Sequence, residues 1–124
     1  MDVQISELLG KTFYNVQREG NEQIIFTTND GTQYKMYHSQ DCCETVHIED
    51  IEGDLEDLTE SPILQAEESA NTDDPRPEYA ESFTWTFYKL ATVKGYVTIR
   101  WLGESNGYYS EGVDLVKVKP SDNF

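Results

Sequence analysis

Residues able to bind a metal or act as a nucleophile crowd into one stretch: His38, Asp41, Cys42, Cys43, Glu44 and His47. A zinc site needs about three or four ligands converging tetrahedrally, commonly from C-x₂₋₄-C or H-x₃₋₅-H pairs. Here the spacings are His-x₃-Cys and Cys-x₃-His around a vicinal pair, with no second ligand pair elsewhere. That pattern matches no closed structural site, and a polar strand-end turn accounts for the same residues. A thiol nucleophile could pair Cys42 or Cys43 with His38 or His47, but it needs an electropositive setting and the neighbouring carboxylates supply the opposite. Adjacent residues on an extended chain point to opposite faces, and a vicinal disulfide needs a strained local turn. Two free thiols in a reducing compartment are therefore expected.

A second group is the carboxylate string Glu49, Asp50, Glu52, Asp54, Glu56 and Asp57. A calcium loop would space its oxygens at alternate positions, with glycine at the sixth and a bidentate glutamate at the twelfth. Gly53 follows Asp50 by three positions, so that register fails. Beside weak calcium binding, two readings remain, a solvated acidic face and a surface that imitates a phosphate backbone. The second would steer a basic partner, raising encounter rates by about 10–10³ and losing that gain as salt rises. A third group, Arg100, Trp101, Tyr108 and Tyr109 with Trp85 nearby, mixes rings, a guanidinium and hydroxyls. It could stack on a nucleotide or anchor a protein interface; a hairpin tip backed by core aromatics uses the same residues. The G-x-S-x-G, G-x₄-G-K-[ST], G-x-G-x-x-G and H-E-x-x-H patterns are absent, so an enzyme is not expected.

Charge narrows the partners. Twenty-four acids face nine bases, a formal −15, and fifteen of those acids lie between Asp41 and Glu81 with Arg76 as the one base among them. Such an excess repels phosphate and anionic membranes, which disfavours nucleic acid and lipid as direct partners and suits a basic protein. At 124 residues the chain fits one domain, 1–124, able to build a core without metal or disulfide staples. Fifteen aromatic residues, each burying about 150–250 Å² when enclosed, can dominate that core. The start of the chain lacks a basic leader and no run reaches the roughly 20 apolar residues of a membrane span, so a cytoplasmic protein is expected.

The elements that position these groups are mostly strands. Val3–Leu9 reads as a short helix stopped by Gly10. Thr12–Arg18, Gln23–Thr28 and Thr32–His38 read as strands joined at Gly20-Asn21 and at Asn29-Asp30-Gly31. Glu44–Glu49 alternates, with Val46 and Ile48 inward and Thr45 and His47 outward. Leu55 and Leu58 suggest a short helical turn in an acidic excursion, and 67–80 reads as a mobile loop. Phe83–Tyr88, Val97–Trp101 and a last strand from about Tyr108 to Val118, turned at Lys94-Gly95 and Asn106-Gly107, read as an antiparallel meander. The expected class is α+β, mainly antiparallel β: a short N-terminal helix, a hairpin-rich sheet, and an acidic inserted loop or short helix.

The strings Tyr34-Lys35-Met36-Tyr37-His38-Ser39-Gln40-Asp41-Cys42-Cys43-Glu44 and Ile48-Glu49-Asp50-Ile51-Glu52-Gly53-Asp54-Leu55 carry a resemblance. With Glu81-Ser82-Phe83-Thr84-Trp85-Thr86-Phe87-Tyr88 and Ser105-Asn106-Gly107-Tyr108-Tyr109-Ser110, the chain resembles a family of small acidic proteins of unknown function from bacteriophage and prophage genomes. The likeness spans most of the chain except 67–80 and the extreme C-terminus. It implies a viral protein acting in a bacterial cytoplasm and transfers no catalytic residue. The leading expectation is a non-enzymatic phage protein that binds and inhibits a basic host protein, as an anti-CRISPR-like inhibitor would, through Glu49, Asp50, Glu52, Asp54, Glu56 and Asp57. The second is sequestration of a small nucleotide signal by Arg100, Trp101, Tyr108 and Tyr109. The third is a metal- or thiol-dependent enzyme at His38–His47. No cofactor is expected.

Overall fold

Apolar residues at every second position, broken by glycine and Asx turns, leave an extended chain with one wet and one dry face. The computed structural model describes residues 2–72 and 82–119. Eight strands form there: β1 Phe13–Glu19, β2 Gln23–Thr28, β3 Gln33–Tyr37, β4 Thr45–Glu52, β5 Gln65–Asn71, β6 Ser82–Thr92, β7 Gly95–Ser105 and β8 Asp114–Val118. They make two four-stranded antiparallel sheets, ordered β1-β2-β3-β8 and β4-β7-β6-β5.

The inner faces of both sheets feed one core. Phe13, Phe26 and Tyr34 come from the first sheet, with ring centroids 5.4 and 5.9 Å from Phe13. Ile48, Leu90, Ile99 and Trp101 come from the second, all fully buried. Each such side chain contributes about 1.5–3 kcal/mol by leaving water, so the pairing of the two faces is the main source of stability. On β6 the inward residues are Thr86, Tyr88 and Leu90, so the rings of Phe83, Trp85 and Phe87 lie half-buried on the outer face.

Four expectations need correction. The N-terminal helix is a single 3₁₀ turn, Ile5–Leu8, which buries Ile5 and Leu8. The residues before it are recruited by the sheet instead: Asp2 bridges Val116 and the Val3 amide donates to Leu115 O at 2.9 Å. The described part of the acidic middle is not one loop: it holds β4, the short helical turn indicated by Leu55 and Leu58 (3₁₀, Leu55–Leu58), and β5. Of the loop expected over 67–80, Glu67–Asn71 belongs to β5, and 73–80 lies outside the described residues. The strand lacks large apolar residues because it is an edge strand paired only to β6.

The last strand begins at Asp114 and pairs with β3, so the C-terminal meander is only the β6–β7 hairpin. Asn106-Gly107 does not return the chain beside β7. Ser105 Oγ and Asn106 Oδ1 accept from the amides of Gly107 and Tyr108, both at 2.9 Å, making local turns. The Glu111 carboxylate then accepts from Thr84 Oγ1 at 2.8 Å and Ser105 Oγ at 2.5 Å, which pins the chain to β6 and β7 before it crosses to β8 in the first sheet.

That crossing passes directly over Gly103, where an added Cβ would overlap the Glu111 carbonyl and lie 2.7 Å from Glu111 Cβ. Gly103→Ala is expected to lower stability by about 1–3 kcal/mol through backbone displacement. Gly112→Ala, whose nearest neighbour is Ser110 Oγ at 3.6 Å, is expected to leave it unchanged. Thermal melts of the two variants check this; equal melting temperatures would contradict it.

Candidate functional site

The acidic string is laid out by a bulge, a glycine turn and a cap. On β4, Ile48 pairs with Trp101 while Asp50 pairs with Arg100, so Glu49 is an extra residue bulged from the ladder. Gly53 turns the chain with φ +100, and its bare Cα sits against the Tyr96 carbonyl where a Cβ would collide. Asp54 Oδ1 then accepts the Glu56 amide at 3.0 Å, and Leu58 buries to anchor the 3₁₀ turn. Asp57 is fixed at its backbone, whose oxygen accepts from Thr92 Oγ1.

The result is a strip running from the β4 bulge to the β6–β7 turn, with Glu49, Asp50, Glu52, Asp54 and Glu56 exposed and Asp57 half-buried. Glu49 Oε2 lies 2.9 Å from His47 Nε2. Among the described residues no basic side chain lies within ion-pair distance of the other five. A shallow cleft of about 470 Å³ opens along the strip, lined by Ile51, Gly53, Asp54, Leu55 and Arg18. The Arg18 guanidinium is held away from the carboxylates by Gly20 O, at 2.7 Å, and by Asn21 Oδ1.

The aromatic group is not brought together. Trp101 is fully buried on the inner face, whereas Arg100 next to it faces outward over the Trp85 ring, 4.9 Å from its centroid. Tyr108 and Tyr109 contact each other edge-on at 5.0 Å in the β7–β8 crossover, with Tyr108 exposed. Arg100 and Trp85 do meet, on the outer face, where Trp85 Nε1 and Arg100 Nε are buried without a hydrogen-bond partner among the described residues; the neighbour missed by the sequence is Phe87, which pairs with Arg100. The alternation of Phe83, Trp85 and Phe87 was the available signal, although period alone does not say which face is inside.

The His38–His47 cluster forms a clamp and a surface pair rather than one site. The Glu44 side chain is buried and accepts from His38 Nε2 at 2.7 Å and from the amides of Asp41 and Cys42 at 2.8 and 2.9 Å. The other nitrogen of His38, Nδ1, donates to Gly112 O at 2.7 Å. Cys42 and Cys43 are joined as a disulfide, in place of the expected free thiols. The tight turn that the extended-chain argument disfavoured is present, drawn around the Glu44 carboxylate by those two amides. Among the described residues no group of three or more His, Cys, Asp or Glu is arranged to hold a metal ion. No described helix is long and apolar enough to cross a membrane.

Residues 6–115 match the family described as Domain of unknown function (DUF7448), and the chain belongs to that family. No curated protein and no solved structure matches it.

The clamp carries a pH signature. The hydrogen bond from His38, with those from the Cys42 and Asp41 amides, holds the Glu44 carboxyl at about 2, below its ordinary 4.5. A lowered folded-state value stabilises fully above 4.5 and is lost as pH falls toward 2. Denaturant midpoints measured down a pH series are expected to fall more steeply across that window for the native chain than for Glu44→Gln. Parallel curves would contradict the clamp.

Proposed function

We propose that this chain is a non-enzymatic binding protein whose acidic strip docks onto a basic surface of another protein. The observation that supports this is the unpaired state of Asp50, Glu52, Asp54, Glu56 and Asp57 on one rim. Carboxylates held along one edge with no ion pair of their own offer their charge to a basic partner. The interior acids are treated oppositely, since Glu44 and Glu111 each have donors for both oxygens. Folding therefore spends its polar partners inside and leaves the strip unmatched.

Read with the resemblance to phage proteins, the partner is a basic, nucleic-acid-handling host protein in the bacterial cytoplasm. The strip would take the place of a phosphate backbone there and act as an anti-defence inhibitor. The fixed spacing of the carboxylates by the β4 bulge, the Gly53 turn and the Asp54 cap supports imitation of an ordered polyanion over diffuse solubility.

Affinity capture from bacterial lysate with the tagged chain, at low and high salt, tests this reading. One basic protein retained at low salt and released at high salt is expected. The exposed residues Glu49, Asp50, Glu52 and Glu56, all changed to lysine, are expected to abolish capture while near-ultraviolet circular dichroism stays native. Retention of the same protein by that variant would overturn the strip. A nucleotide freed on denaturation, with no protein captured, would overturn protein binding altogether.

A further inference from the structure

Four of the six large apolar side chains exposed among the described residues gather at one end of the molecule, beside the strip: Leu9, Leu64, Val93 and Tyr96. Backbone pairing sets them there. The Gly10 amide donates to Ile63 O and the Leu64 amide to Ala91 O, both at 2.8 Å, while Ala91 pairs across the hairpin with Tyr96. Val93 is 77 % exposed, Tyr96 75 % and Leu64 60 %. The strip reaches the same end: Gly53 packs on the Tyr96 carbonyl, and Asp57 Oδ2 would be 3.0 Å from a Cβ on Gly95.

Folding does not require these residues to be apolar. Thr92 pairs with Gly95, so Val93 and Lys94 are the two loop residues of a tight hairpin; neither has positive φ, a backbone open to most residue types, so nothing in the turn calls for an apolar side chain. A contiguous apolar surface edged by charge is the usual form of a protein contact.

We infer that Val93, Tyr96 and Leu64 form the apolar anchor of the docking surface, and that its occupant is a basic protein segment carrying apolar side chains between its lysines or arginines. This rests on the docking reading above and adds to it the partner's chemistry. A second copy of this chain fits poorly, because it would bring Asp54 and Asp57 against their own counterparts. A partner recognised by charge alone would leave the anchor unused.

The test compares two labelled peptides of equal charge, one all lysine and one with two central leucines, by fluorescence anisotropy at low and high ionic strength. The leucine peptide is expected to bind about tenfold more tightly, with the gap persisting at high salt where charge is screened. Val93→Ser with Tyr96→Ser, both exposed and so harmless to the core, is expected to close the gap while all-lysine binding stays unchanged. Equal binding of the two peptides to the native chain, or a gap that survives the double variant, would overturn the anchor and leave charge docking standing. Binding of neither peptide would overturn both. Salt-induced dimerisation in sedimentation, abolished by the double variant, would make the patch a self-interface and overturn the basic partner.

Discussion

The chain passes between its sheets at 38–44 and again at 106–113, and one buried contact holds both crossings. His38, just after β3, bonds Glu44 just before β4 and Gly112 just before β8. The Ser39 amide adds a bond to Asp114 Oδ2 at 3.0 Å, on β8 itself. Sheet pairing fixes distances within a layer; the shared core and cross-links such as these fix one layer against the other. A buried carboxylate is costly unless its oxygens are met, and here the His38 ring and two amides meet them. Losing one partner would leave a charge stranded in the core, so this contact tolerates no partial version. The position of β4, and with it the start of the acidic strip, depends on it.

The same constraint explains how so acidic a chain folds. Nine bases cannot neutralise twenty-four acids, so most carboxylates must stay in water. Two of those taken inside show their donors plainly: Glu44 with His38, and Glu111 with Thr84 and Ser105. Of those left outside, Glu49, Asp50, Glu52, Asp54 and Glu56 are gathered by the β4 bulge and the Gly53 turn along one rim. The rim ends beside the exposed Val93 and Tyr96, so charge and apolar surface are offered to one partner at once.

Much of the fold was legible where local signals and burial agree. Gln23–Thr28 is the strand that its alternation indicates, the β6–β7 hairpin turns beside Lys94, and Ile48 faces inward with Thr45 outward. Long-range choices were not legible. Nothing in Tyr108–Val118 says that β8 pairs with β3 and not β7, because that decision belongs to Glu111 and the clamp. β5 is nearly free of large apolar residues and is a strand only through backbone pairing with β6. The outward turn of Trp85 and inward turn of Trp101 follow from register between the two strands. The acidic residues were visible as a string, but their separation into paired interior and unpaired rim required the three-dimensional arrangement.

The most direct measurement is a map, by backbone amide chemical shifts, of where the leucine-bearing lysine peptide settles on the isotope-labelled chain. Shifts concentrated at 49–57 and 93–96, with β1–β3 unmoved, are the predicted result. Shifts centred on the outer face around Trp85 and Arg100, or spread evenly over the surface, would contradict the account.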